Sequence, residues 1–337
     1  MTSPPNEGRY ALGDYTLQSG DVIEDAFIVY KTHGTLSAAK DNVILYPTSY
    51  SATHAELEWL IGAKGILDPT RWFIVIPNMF GSGLSSSPSN TPNYPSLVTS
   101  TDNVHAQRRL LHDVFGIEKL AGVYGFSMGA QQAYHWAALY PDAVERIVVV
   151  CGSARTAVHN QVFLLSVAAI LEAAPEHVGN GRFSAPPTAA LRAFGRSYAA
   201  WAMSQDFYRA GLHLSVLKAS SLDDFLRTQW EVRFEQRDAA NLYAQLKTWI
   251  AGDISANPLY NGDLVKALNA ITARVLLMPS ATDLYFRVAD NETELPHLKS
   301  AELAPIPSIW GHRAGNPSQN AEDGLFLRDH VRRIFTD

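Results

Sequence analysis

The pentapeptide Gly125-Phe126-Ser127-Met128-Gly129 constrains this chain more than any other stretch. It lies between a β-rich run, Leu120 to Tyr124, and an Ala-rich, amphipathic helical pattern, Met128 to Leu139, which Tyr140-Pro141-Asp142 ends. A chain passing directly from strand to helix must reverse sharply, and the residue at the apex is forced into a strained backbone conformation. Side chains two positions before and after the apex would collide with the turn, so both positions are glycine. The apex serine then stands above the end of a sheet, beside a helix N-terminus whose free amides favour negative charge. A serine in that setting points to nucleophilic acyl chemistry, with the Met128 amide as one oxyanion donor.

Other runs supply the rest of a sheet. Val43 to Tyr46, Phe73 to Ile76, Ile147 to Cys151 and Val275 to Met278 are dense in β-branched and aliphatic residues with little alternation. Strands covered on both faces have that composition. Helical patterns lie between several of them, such as Asn103 to Val114, where Val104, Leu111 and Val114 share a face. Strands alternating with helices predict an α/β chain with a mainly parallel sheet and helices on both faces. From about 158 to 265 the alternation stops. Phe163 to Ala173, Ala189 to Tyr198, Leu222 to Phe234 and Ala239 to Ile250 all have helical patterns, interrupted by Gly179-Asn180-Gly181 and Ala185-Pro186-Pro187. We expect a core of residues 1–157 and 266–337, with 158–265 inserted as a helical cap over one end of the sheet.

A serine hydroxyl needs a base to take its proton, and the base needs an anion to fix its tautomer. On a sheet of this kind the order is serine, acid, histidine. Asp283 lies just past the Val275 to Met278 strand, where catalytic acids sit. Asp290, Glu292 and Glu294 fall in a more helix-like stretch. Of eleven histidines, His312 follows the apolar run Ile306 to Ile309 and precedes the last helix, giving the strand, loop, histidine, helix order a base requires. His105, His112, His135 and His330 fall on helices and are expected to be surface or packing residues. His54, in the loop after the first apolar strand, is placed at the border of the pocket. The second oxyanion amide is expected from the same loop, from Ser49 or else Tyr50. Trp201, Phe207, Tyr208 and Trp230 of the cap are candidates for the pocket wall.

Several classes are set aside. The formal net charge of −6 and scattered Lys and Arg argue against a nucleic-acid binder. No stretch approaches the ~20 apolar residues of a membrane span. Residues Met1 to Glu7 lack the basic and apolar regions of a secretory signal, and the one cysteine, Cys151, can form no intrachain disulfide. The expected location is the cytoplasm, and Cys151 is expected to be a buried small hydrophobe. Gly81-Ser82-Gly83 lacks the third glycine of a dinucleotide loop, and there is no Walker loop, H-E-x-x-H or Cys/His cluster. No metal and no cofactor are expected.

With these residues in view, the chain resembles the homoserine O-acetyltransferase family, which has the α/β-hydrolase fold. The resemblance runs from Leu17-Gln18-Ser19-Gly20 and Tyr30 to Leu36, through Ile76-Pro77-Asn78 and Gly125 to Ala130, to Asp283 and Gly311-His312. It implies a helical lid, a homodimer and an acyl-enzyme on the serine. Arg155 matches a family arginine linked to the substrate carboxylate. Two departures change the expected activity. The elbow reads Gly-Phe-Ser-Met-Gly-Ala where the transferases usually have Gly-Gly-Ser-Met-Gly-Gly. Arg313 follows His312 where they usually have an acidic residue for the amino acid's ammonium, and a cation repels that group. The stretches Ile254 to Asn257, Asp283 to Phe286 and Trp310 to Gly315 look more like the family's esterase branch. That likeness implies a carboxylesterase acting on small esters, acetates such as ethyl acetate. The alternative is an O-acetyltransferase using acetyl-CoA and an alcohol acceptor, and a catalytically silent interaction protein is the remaining contrast.

Overall fold

The computed structural model describes residues 6–336; the reading of the N-terminal segment as lacking a signal falls partly on residues 1–5, outside the described residues. Eight strands form one sheet: β1 (Asn6–Thr16), β2 (Val22–His33), β3 (Val43–Leu45), β4 (Phe73–Pro77), β5 (Gly122–Phe126), β6 (Arg146–Val150), β7 (Arg274–Met278) and β8 (Ala301–Leu303). Their order is β1-β2-β4-β3-β5-β6-β7-β8. All pairs from β4 to β8 are parallel, while β1-β2 and β2-β4 are antiparallel.

The five predicted β-rich runs from Val43 to Met278 all form strands, each with an end shifted by a residue or two. Their lack of alternation has the expected cause. Ile147 and Val149 pack into one apolar cluster and Val148 and Val150 into another, on the opposite face. The β1-β2 hairpin is an addition to the predicted set. Its signal is the alternation of buried Ala26, Ile28, Tyr30 and Thr32 along β2. The run Ile306 to Ile309 is not a strand. The last strand lies earlier, at Ala301–Leu303, and Ile306 makes a single isolated bridge to Ser280. The Pro residues at 305 and 307 explain this, since each lacks the amide a ladder needs.

Helix α1 (Ser100–Phe115) opens with a capping box between Thr99 and Asp102. Val104 and Leu111 are buried as expected, but Val114 faces solvent. Helix α2 (Met128–Leu139) is buried from Met128 to Ala138 and is not amphipathic, because it lies in the centre of one sheet face with α1 beside it.

Between β6 and β7 come α3 (Val158–Glu172), α4 (Thr188–Ala202), a run made of Leu222–Phe225, a π-helical turn Leu226–Glu231 and Val232–Glu235, and a helix Ala239–Ile250. One apolar cluster continues from Tyr124, Val148 and Leu276 on the sheet into Phe163, Leu164, Phe194 and Trp249 of these helices. The helical layer is therefore packed onto the sheet rather than tethered to it. The segment from Ile254 to Ile271 buries Ile254, Tyr260, Ala267, Leu268 and Ile271 in the opposite cluster, with α2 and the sheet; its residues up to 265 belong to the expected insertion and the rest to the expected core.

Candidate active site

The chain leaves β3 in one direction, towards β4, and enters β5 on β3's other side. That reversal opens a crevice beyond the C-terminal ends of β3 and β5, where ligands bind in open α/β sheets. Ser127 stands at this point. Its backbone has φ 57° and ψ −125°, and it precedes α2 directly. The two elbow glycines are required by close approach. A Cβ on Gly125 would lie 2.2 Å from the Gly129 carbonyl oxygen, and one on Gly129 would lie 2.6 Å from that of Pro47. Strain of this size is held only where its surroundings over-determine it. Here the Ser127 amide donates to the Val150 carbonyl at 2.9 Å, and the Ser127 carbonyl accepts from the amides of Ala130 and Gln131.

The loop after β3 presses against the elbow. The Ser49 hydroxyl donates to the Phe126 carbonyl at 2.5 Å, and the Gln132 side chain donates to the Thr48 carbonyl. Among the described residues, no acceptor meets the amide of Ser49 or of Tyr50. Both remain available to a ligand oxygen. Ser49 and Tyr50 line the same narrow cavity as Ser127 and His312.

Asp283 and His312 are brought together, with His312 lining the same cavity as Ser127. Asp283 Oδ2 accepts from His312 Nδ1 at 2.7 Å, and its Oδ1 accepts from the amides of Tyr285 and Phe286 at 2.8 and 3.2 Å. The Asp283 carboxylate is fully enclosed. With Nδ1 committed as donor to the carboxylate, Nε2 is left as the basic nitrogen. The imidazole is held in place by Phe126 and Tyr285, each with its ring centre 4.8 Å away. The two loops are also tied directly. The Thr282 hydroxyl donates to the Ser308 carbonyl and accepts from the Gly311 amide. Gly311 has φ +62°, and a Cβ there would sit 2.7 Å from the Ser204 amide nitrogen, so the histidine loop is packed against the end of α4.

Other predicted site residues lie elsewhere. Arg155 is bound by Asp253 at 2.6 Å, by the Ser255 hydroxyl and by the Gly262 carbonyl. It clamps the 253–262 segment to the end of β6, and its guanidinium is occupied. His54 is buried outside the cavity, where Glu7 and Asn78 take its two ring nitrogens. Of the four aromatic candidates only Trp230 lines the cavity. Trp201 packs on Phe163 and Phe207 on Trp310, within the helical layer. Tyr208 stacks on the edge of Phe207, with its hydroxyl on the Ala199 carbonyl. Met128 is buried at the head of α2, with its amide beside Ser127. The pattern missed Tyr198, Arg233 and Phe234, which line the cavity together with Arg313. Nothing in a helical stretch of sequence marks Arg233 as facing inward.

Cys151 is buried, with its sulfur close to the Asp283 carboxylate and the His312 ring. Burial, and then the Asp283 charge, push its thiol well above the usual range. The thiol stays protonated and the other two groups are bonded to each other, so this trio is a poor set of metal donors.

A second buried carboxyl ties the segment after β6 to α2. Glu294 accepts from the Ala154 amide, the Tyr134 hydroxyl and the Asn291 side chain. Burial raises its pKa to about 7 against these bonds, which lower it. A carboxyl raised in the folded state binds its proton more tightly than in the unfolded chain. Stability from this group is therefore greatest below about pH 4.5 and falls until about pH 7, by on the order of 3 kcal/mol. Glu294→Gln is expected to flatten that part of the stability profile, measured by urea unfolding at pH 5 and pH 7. An unchanged slope would show that other groups produce it.

Comparison with known proteins agrees with this architecture. The family description "alpha/beta hydrolase fold" matches residues 55–287. The chain belongs to the α/β-hydrolase fold family. An ethyl acetate hydrolase of Pseudomonas veronii is 36% identical over 318 residues, covering 91% of this chain and 90% of that one. The crystal structure of an acetylester hydrolase from Corynebacterium glutamicum superposes with a TM-score of 0.93 at 32% identity, over 98% of this chain and 96% of that one. A homoserine O-succinyltransferase of Methylibium petroleiphilum is 31% identical, covering 88% of this chain and 86% of that one. Among the described residues no helix is long and apolar enough to cross a membrane.

Proposed function

We propose that this protein is a serine carboxylesterase that hydrolyses small acyl esters, acetates in particular. The observation that carries the reading is the buried Asp283–His312 hydrogen bond of 2.7 Å, with His312 lining the same cavity as a strained Ser127 at the sheet's switch point. Ser127 Oγ attacks the ester carbonyl while His312 Nε2 takes its proton. Asp283 holds the imidazole in the tautomer that can accept it and stabilises the imidazolium. The Met128 amide and the amide of Ser49 or Tyr50 receive the developing oxyanion. His312 then protonates the leaving alcohol, and the acyl group remains on Ser127. A water deprotonated by His312 attacks the acyl-enzyme and releases the acid. The cavity around Ser127 and His312 is only about 60 Å³, walled by Tyr50, Tyr198, Trp230 and Phe234, which suits a short acyl chain.

The relative from Pseudomonas veronii carries the name of an ethyl acetate hydrolase, which supports the same substrate class. Acyl transfer to an alcohol acceptor is the second reading, favoured by the succinyltransferase relative. Arg313 lines the cavity directly after His312 and would repel homoserine's ammonium. The helices from α3 to Ile250 serve as a lid on the catalytic core. A homodimer and a cytoplasmic location complete the proposal, and sedimentation and cell fractionation test them. The deciding experiment compares acetate release from ethyl acetate with acetyl-CoA consumption, with and without homoserine. Ester hydrolysis with acetyl-CoA ignored is the expected result. Acetyl-CoA turnover dependent on an alcohol would overturn it.

A further inference from the structure

Two arginines share the wall of the catalytic cavity. Arg313 follows His312, and Arg233 sits two residues beyond the π-helical segment. Among the described residues neither has an ion-pair partner, although most arginines of this chain do. The nearby carboxylate of Glu56 is taken by Arg237. Both side chains are partly buried, and both line the cavity of Ser127 and a second cavity next to Phe225, Trp310 and Gln319. Burial, and then the neighbouring Arg233 charge, push the pKa of Arg313 down to about 10, which leaves it charged at neutral pH, and burial pushes Arg233 down as well. Two like charges held together away from bulk water repel strongly unless an anion joins them.

A third donor stands with them. Trp230 is buried, lines both cavities, and its indole N–H meets no acceptor among the described residues. An indole N–H donates and never accepts, as does a guanidinium. The backbone is shaped to bring this donor in. Trp230 belongs to the π-helical turn Leu226–Glu231, and π turns cluster at functional sites. The turn packs against α4 at Gly195, where a Cβ would lie 2.6 Å from the Trp230 carbonyl oxygen. The result is a cluster of donors without protein partners among the described residues, lining the same cavity as the reacting serine, in a chain whose overall charge is −6.

We propose that Arg233, Arg313 and the Trp230 indole N–H form a carboxylate-binding subsite of the catalytic cavity. A carboxylate matches the planar guanidinium fork and leaves a lone pair for the indole. The inference rests on the esterase reading for its consequence. The carboxylate is either that of the acid product or a second one carried by the ester substrate. In the first case the acid inhibits competitively with ester. In the second, half-esters of short dicarboxylic acids are preferred over neutral esters of the same shape.

The test uses the full chain with Ser127→Ala, so that binding is read without turnover. Acetate, monoethyl succinate and its neutral isostere ethyl levulinate are titrated by calorimetry and by Trp fluorescence. At least tenfold tighter binding of monoethyl succinate than of ethyl levulinate assigns the site to a substrate carboxylate. Acetate binding as tightly as monoethyl succinate assigns it to the acid product. In either case the preference for the anion should fall at least tenfold in Arg233→Gln and in Arg313→Gln, and thermal melts verify that both variants are folded. Arg313→Lys should keep part of it. Equal binding of charged and neutral ligands would overturn the proposal, and so would a preference that survives both glutamine variants. Turnover of ethyl levulinate by the wild-type chain separates the two levels, because it tests the esterase reading whatever the arginines bind.

Discussion

Ser127→Ala is expected to reduce kcat/KM for ethyl acetate by about 10⁵-fold or more, with little change in folding. Removing the nucleophile of such a unit costs as much as removing the whole unit, because the base and the acid act only through it. What remains is the oxyanion site and the cavity, which alone give roughly 10³-fold over water. Alanine is tolerated by space at this position, since the elbow glycines and not the serine side chain relieve the close contacts. The positive φ of Ser127 persists in the variant, as the Val150 carbonyl and the α2 amides still fix the backbone. The measurement is a pair of steady-state rates with a thermal melt. A residual rate within tenfold of wild type would remove Ser127 from the chemistry.

Asp283→Asn should cost about 10⁴-fold in kcat at nearly unchanged geometry. The reason lies in the two backbone amides that already point at Asp283. Tyr285 and Phe286 donate to Oδ1, so an asparagine must turn its carbonyl oxygen to them and its NH₂ to His312. The imidazole Nδ1 then becomes an acceptor and its proton moves to Nε2. A protonated Nε2 cannot take the serine proton. The loss should appear in kcat far more than in KM, because the cavity wall is untouched. If Asp283→Asn keeps most of its rate, the carboxylate is a loop-capping group and another acid orients the histidine.

The positions of these residues were legible in the sequence because the elbow is constrained by backbone sterics and the acid and base by the order of strands. A turn from strand into helix excludes side chains at 125 and 129, and the order of strands leaves few places for an acid and a base. Ser127, Asp283 and His312 therefore stand out without any contact information. The pocket was read less well. Trp201, Phe207 and Tyr208 are as aromatic as Trp230, yet they pack among themselves. Which face of a helix meets the serine depends on how α4 and the π-helical turn approach, and that approach is close at Gly195 of α4, about thirty residues before the turn in sequence. His54 and Arg155 were misplaced for a related reason. A polar residue near a strand's end can face the crevice or bond to a neighbouring segment. Glu7 and Asp253, which capture them, arrive from distant parts of the chain. The strand assigned to Ile306–Ile309 failed on its own composition, since prolines at 305 and 307 forbid a ladder there.

The central claim is that an acyl group passes through Ser127. It is tested most directly by acid-quenching the enzyme during turnover of an activated acetate ester and mapping the modified peptide by mass spectrometry. Acetyl on the peptide that holds Ser127, formed in wild type and absent in Ser127→Ala, is the predicted result. Acetyl on Cys151 instead, or an equal yield in Ser127→Ala, would contradict it.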